Sequence, residues 1–298
     1  MSPHCKEPGL SSTAESAPTT PQVRAGREEF DPRLVVADMD GTLLDGEGRI
    51  PERFWPLLER MHSRGIVFVP ASGRQYATLS RLFERAPADT PYVAENGTYL
   101  VKDGLELAST TLARAIVVEA ITYLRELGRT ELELGVVLCG KRSAYVERAD
   151  EPFLSEVRKY YAALEVVDDL LVPDDEVLKI AVFDFGDAET GAGPRLDRFR
   201  EASQVVISNH HWVDIMASGA NKGAAVQQLQ QRLGITREQT VAFGDYLNDL
   251  EMLDTATWSF AMANAHPEVL ARAAAIAPAN TEQGMLTTLT ELLDRAEG

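Results

Sequence analysis

With 298 residues and 45% hydrophobic content, the chain is long enough to bury one large core or two ordinary ones, and disorder throughout is excluded. Its 46 acidic residues outnumber 29 Lys plus Arg, and the formal charge of −17 repels polyphosphate, so neither nucleic acid nor an anionic membrane surface is expected as a partner. Two cysteines, Cys5 and Cys139, imply no disulfide framework; no apolar stretch approaches bilayer length and the start lacks the apolar core of a secretory signal, so a cytoplasmic location is the default expectation.

Residues 1–32 are rich in Ser, Thr, Pro and Ala, with too few large apolar side chains to offset the entropy of ordering, and read as a disordered leader. The apolar run Leu34-Val35-Val36-Ala37 suits a strand buried on both faces. It ends abruptly in Asp38-Met39-Asp40-Gly41-Thr42-Leu43, where such a strand meets solvent and where open α/β sheets place ligands. Phe54, Leu57, Leu58 and Met61 at helical spacing predict a helix over 51–64, capped by Gly65 and followed by an apolar strand at 66–69 that leads to Ser72-Gly73-Arg74. Strand, helix and strand in this length form a right-handed βαβ unit with parallel strands, which brings Ser72 near Asp38. A helix over 75–86 and a short strand at 92–94, ending in Glu95-Asn96-Gly97, complete this part.

Beyond Gly97 strands alternate in polarity or come in pairs joined by short turns, the pattern of an antiparallel sheet with one solvated face. The pattern predicts helices over 113–127, 152–164 and 194–202, strands over 132–138, 144–147 and 178–185, and a hairpin of 204–208 with 212–216 joined by Asn209-His210-His211. From 218 the α/β alternation returns. Lys222 opens a helix that Gly234 ends, strand 240–243 runs into Gly244-Asp245-Tyr246-Leu247-Asn248-Asp249, and a helix to 253, a strand at 258–262, a helix after Pro267, a strand near 275–277 and a helix over 285–296 follow. The first and last parts share one grammar, so the expected architecture is an α/β parallel-sheet core over 33–95 and 217–298 carrying an inserted α+β domain over 96–216.

In a parallel sheet the strand ends converge on one edge, so Asp38/Asp40, Ser72-Gly73-Arg74, Lys222 and Gly244-Asp245 with Asn248-Asp249 can share one pocket. Two carboxylates as close as Asp38 and Asp40 need a cation, a shared proton or water. Magnesium, which prefers oxygen ligands, is the expected cation, held by Asp38, the Asp40 carbonyl and Asp245 with help from Asp249. Phosphate-ester hydrolysis fits these groups: Asp38 as nucleophile, Asp40 as acid and base, Lys222 as a fixed charge, and Ser72, the Gly73 amide and Asn248 as donors to the phosphoryl group or its surroundings.

In this order the four clusters resemble the motifs of the haloacid dehalogenase-like hydrolase superfamily, and the large insert between the second and third resembles the cap of its Cof-type phosphatases. Glu95-Asn96-Gly97, Asn264-Ala265, and Asn280 with Gly284 add to the likeness, which covers roughly 33–293. The resemblance implies a Rossmann-like core, a mobile cap that sets specificity, sugar phosphates or similar small phosphorylated metabolites as substrates, and the same roles for the residues just named. One departure is Asp214, where similar proteins often carry Glu.

Simpler readings stand beside these. The acidic pair can be a plain turn, and Ser72 and Asp245 can be helix caps. A lysine at a helix N-terminus is mildly unfavourable and asks for compensation, and Arg74 has substrate or a surface carboxylate as its alternatives. His210-His211 read as surface residues, Trp212, Phe183 and Phe185 as sheet packing, and Lys179, at the start of an insert strand where the active site is one direction it can face, is left out of the site. A phosphotransferase or phosphomutase of the same fold, and a metabolite sensor without catalysis, are the alternative functions.

Overall fold

The structure, a computed structural model, describes residues 30–296. The leader expected over 1–32 lies outside the described residues except at its end, where Phe30 sets its ring edge-on to Trp258 at 4.7 Å and packs against the core.

The apolar run forms β1 (Leu34–Ala37), buried at every residue. Next come α1 (Phe54–Ser63), β2 (Val67–Pro70), α2 (Tyr76–Leu82) and β3 (Pro91–Ala94). α1 turns Phe54, Leu57, Leu58 and Met61 inward, where Phe54 meets Phe68 edge-on at 5.0 Å. Two strands absent from the sequence expectation follow, β4 (Tyr99–Lys102) and β5 (Leu105–Ser109). They pair antiparallel with β3 in a three-stranded meander, and a bridge from Val93 to Ala71 ties that meander to the end of β2. The expected boundary at residue 96 therefore cuts through hydrogen-bonded sheet, and 99–109 go with the core side. The sequence mark of this hairpin is Asp103-Gly104, whose φ values of +54° and +70° suit the two-residue turn that matches strand twist.

The insert then builds one sheet of its own from α3 (Arg114–Thr130), β6 (Leu134–Gly140), β7 (Ala144–Val146), α4 (Glu151–Tyr160), β8 (Leu164–Val166), β9 (Val177–Asp184), α5 (Ala192–Leu196), β10 (Ser203–Asn209) and β11 (Trp212–Ala217). The strand order is β10-β11-β9-β6-β7-β8, antiparallel except between β7 and β8. Apolar side chains of α3 cover one face and those of α4 the other. α4 stops at Tyr160, short of the expected 164, because Leu164 already pairs with Ala144. The helix expected over 194–202 is α5 and one tight turn at 197–199, since Leu196 and Phe199 are the large side chains buried there.

The core resumes with α6 (Lys222–Leu233), β12 (Thr240–Gly244), α7 (Leu250–Leu253), β13 (Trp258–Met262), α8 (Pro267–Arg272), β14 (Ala275–Ala277) and α9 (Gly284–Arg295). Its sheet is parallel throughout in the order β14-β13-β12-β1-β2, a Rossmann-like core beside a mixed α/β cap. Among the described residues no helix is long and apolar enough to cross a membrane.

Candidate active site

Strand register brings the expected groups together. Ala37 lies opposite both Pro70 and Phe243, so Asp38, Ser72 and Asp245 leave the sheet at nearly the same level. Lys222 joins them from the start of α6, whose first turn is capped by Asn221 Oδ1 accepting from the Ala224 amide at 2.7 Å.

The Lys222 side chain is wholly buried, and its Nζ donates to Asp38 Oδ1 at 2.5 Å and to Asp249 Oδ1 at 2.7 Å. These two carboxylates are the compensation that a lysine at a helix N-terminus asks for. The other oxygen of Asp249 accepts from the amides of Asp245 and Tyr246 at 2.9 and 3.2 Å, which fixes the turn after β12. Thr42 Oγ1 donates to Asp245 Oδ1 at 2.9 Å. Gly41, at φ +78°, permits the close approach: a Cβ there would stand 2.2 Å from Asp245 Oδ2.

Burial pushes the Asp38 carboxyl up to about 7, against the pull of Lys222 and with Asp249 and Asp40 adding to the rise. Asp245 is raised well above the carboxylate range by burial, then by Asp38 and Asp249. Burial also opposes the charge of Lys222, yet Asp249 and Asp38 hold its pKa above the ordinary lysine value. Oxygens of Asp38, Asp245 and Asp249 lie within 4.8 Å of one another, and the Lys222 ammonium pairs with two of the three, Asp38 and Asp249. Hard oxygen donors with surplus negative charge suit a divalent cation.

Ser72 is buried, and its Oγ accepts from the Arg74 amide at 3.2 Å. Gly73 packs against Asn96, whose Oδ1 would lie 3.1 Å from a Cβ at that position and accepts from Asn248 Nδ2 at 2.9 Å. Asp40 keeps 40% of its side chain exposed and is gripped by Arg74 at 2.9 and 2.5 Å, so the carboxylate that Arg74 meets belongs to the site itself. Arg74 also donates to the Lys159 carbonyl and lies over the Tyr160 ring at 4.8 Å, which joins core to cap.

The cap closes the pocket with Tyr160, Tyr161, Ser208, Asn209 and Trp212. Trp212 is buried against Phe183 at 5.0 Å, as sheet packing requires, and also faces the cavity. His210 is exposed beside Asp187 at 3.4 Å, and neither it nor His211 belongs to the carboxylate group. Lys179, given no role from sequence, is buried in β9 with Glu95 at 3.2 Å and Asp214 at 3.3 Å. The signal for it was a charge within an eight-residue strand buried throughout, where a lysine needs a counter-charge.

A family model for haloacid dehalogenase-like hydrolases matches residues 35–289. The chain belongs to this family. Among relatives of this hydrolase, 5-amino-6-(5-phospho-D-ribitylamino)uracil phosphatase YbjI of Escherichia coli is 34% identical over 88% of this chain and 96% of its own. HMP-PP phosphatase of Cronobacter sakazakii is 30% identical over 80% of this chain and 87% of its own. The crystal structure of SMU.1108c from Streptococcus mutans matches with a TM-score of 0.81 at 27% identity, covering 89% of this hydrolase and 100% of that chain.

Proposed function

We propose that this hydrolase is a magnesium-dependent phosphatase that cleaves phosphate monoesters of small metabolites through an aspartyl-phosphate on Asp38. The supporting observation is the wholly buried Lys222 bridging Asp38 and Asp249 beside Asp245, an arrangement that draws an anionic group to one carboxylate oxygen. Relatives named as phosphatases of small phosphorylated compounds support the substrate class.

Asp38 attacks phosphorus, the ester bond breaks, and Asp40 gives its proton to the leaving oxygen; Asp40 then takes a proton from the water that hydrolyses the acyl phosphate. Lys222 keeps Asp38 oriented and adds a fixed positive charge. Ser72, the Gly73 amide and Asn248 hold the phosphoryl oxygens. Asp38, Asp245 and the Asp40 carbonyl would hold magnesium with Asp249 beside them, and the ion supplies neutralisation of the charge shared by nucleophile and phosphate. Arg74 orients Asp40 and latches the cap, which excludes water from the reacting centre.

Release of inorganic phosphate from para-nitrophenyl phosphate and from a panel of sugar phosphates, nucleotides and phosphorylated cofactors, each with magnesium or with EDTA, tests this. Magnesium-dependent turnover is expected. No turnover on any substrate would favour a metabolite sensor, and phosphate passed to a second metabolite in preference to water would favour a phosphotransferase or phosphomutase.

A further inference from the structure

Three carbonyls run along the turn after β2, and each is held by one donor. Ser72 O accepts from the Asn96 amide at 2.9 Å and Arg74 O from the Glu95 amide at 3.1 Å, both within the core. Gly73 O, between them, accepts at 2.7 Å from Lys179 Nζ, which comes from the middle of the cap sheet. Because a peptide is planar, the carbonyl of one residue sets the direction of the next amide. Lys179 therefore fixes the Gly73–Arg74 peptide, whose N–H points to Ser72 Oγ.

The same ammonium reaches a second part of the site. It pairs with Asp214 of β11, Asp214 Oδ2 accepts from Asn96 Nδ2 at 2.5 Å, and Asn96 Oδ1 accepts from Asn248. Glu95 and Asn96, at φ +50° and +56°, hold left-handed backbone that residues other than glycine adopt only where their surroundings impose it. Glu95 Oε1 is buried without a hydrogen-bond donor, and Glu95 Oε2 and Asp214 Oδ1 are met by the Lys179 ammonium alone, at 3.2 and 3.3 Å. As packing, one ammonium between two such carboxylates does no better than apolar side chains of the same size. What apolar side chains cannot do is donate to Gly73 O.

We propose that Lys179 is a positioning residue for phosphoryl transfer: closing the cap delivers its ammonium to the Gly73 carbonyl, so the phosphate-holding turn reaches working geometry only when the cap is shut. This rests on the phosphatase reading, which turnover of para-nitrophenyl phosphate and the metabolite panel by the unaltered enzyme tests separately; absence of turnover on every one of them overturns the reading itself.

The decisive variant is the triple substitution Lys179→Met, Glu95→Gln and Asp214→Asn, which removes all three charges while keeping their shapes. If the ammonium only balanced charge, this neutral variant would work as the natural enzyme does. The expected result is a folded protein by circular dichroism whose kcat/KM falls about 30-fold or more, as misplacement of a reacting group costs. Competitive inhibition by inorganic phosphate should weaken about tenfold with it, the loss of one good charge-assisted contact. A folded triple variant within threefold of the natural enzyme on both measures overturns the assignment. Should the triple variant not fold, hydrogen exchange on the unaltered protein decides. Saturating inorganic phosphate is expected to slow exchange in β9 and β11 together with 72–74, and protection at 72–74 with β9 and β11 unchanged overturns it.

Discussion

Lys222→Met removes the cation that bridges two buried carboxylates, Asp38 and Asp249. The ammonium sits 2.5 Å from Asp38 and 2.7 Å from Asp249 with none of its side chain exposed, so the variant leaves two largely buried carboxylates without their counter-charge. Breaking a buried pair in this way costs about 3–5 kcal/mol. For a protein of this size that lowers the melting temperature by roughly 6–20 °C. The loss should depend on pH. Burial raises Asp38 to about 7 and Asp245 well above its ordinary value in the folded state, so their protonated forms favour folding at low pH, and that contribution disappears as pH rises through the folded values. Without Lys222 both groups hold protons more firmly still, and at pH 5.5 protonation does part of the work the ammonium did. Calorimetric melts of both proteins in EDTA at pH 5.5 and pH 8 measure this. A large deficit at pH 8 that shrinks at pH 5.5, and that magnesium partly restores at pH 8, is expected. A deficit under about 2 °C at pH 8, less than one kcal/mol for this size, or one equal at both pH values, would refute the electrostatic account.

Asp38→Asn is expected to abolish phosphate release, whereas Asp40→Asn slows it by about 10²–10⁴-fold and lets phospho-enzyme accumulate, read by acid quench after mixing with radiolabelled substrate; near-normal rates for Asp38→Asn would show a different nucleophile. Gly41→Ala sets a methyl group against Asp245, 2.2 Å from its oxygen on a left-handed backbone, and should weaken magnesium binding about 10–100-fold by calorimetric titration. Glu95, pushed up to about 7 by burial despite Lys179, contributes stability present below pH 4.5 and lost as pH rises through 7. Glu95→Gln should remove that loss, about 2.5 kcal/mol, from the difference between urea unfolding at pH 5 and pH 8, and an unchanged difference would mean the carboxyl is not the source.

The residues legible in the sequence were those whose chemistry breaks a local rule. Asp38 and Asp40 interrupt an apolar run, and Lys222 stands where a helix disfavours a cation; each violation pointed to a partner far away in the chain. Arg74 obeys no such contrast, since an arginine after a glycine at the surface is ordinary, and its hold on Asp40 is visible only in three dimensions. Asn96 and Glu95 were visible as a likeness to relatives but not as a mechanism. Their part depends on Asp214 and Lys179, more than 80 positions away on strands whose facing no single segment reveals. The β4–β5 hairpin shows the opposite case. Its turn signal, Asp103-Gly104, is local, but the surrounding Leu100-Val101-Lys102 and Leu105-Glu106-Leu107 fit the insert's alternating pattern as well as the core's, and only hydrogen bonding to β3 separates them.

The place of β1 between β2 and β12 has a consequence for the newly made chain. One edge of β1 can pair with β2 almost at once, but its other edge waits for Thr240–Gly244, about two hundred residues later. At roughly 5–20 residues per second, that is about ten to forty seconds of translation during which an apolar strand has a bare edge and an uncovered face. The insert, whose strands pair with one another, can fold on the ribosome within this interval. The parallel-sheet half of the molecule is thus completed last, and until β12 emerges the bare edge of β1 is open to wrong pairing with other chains.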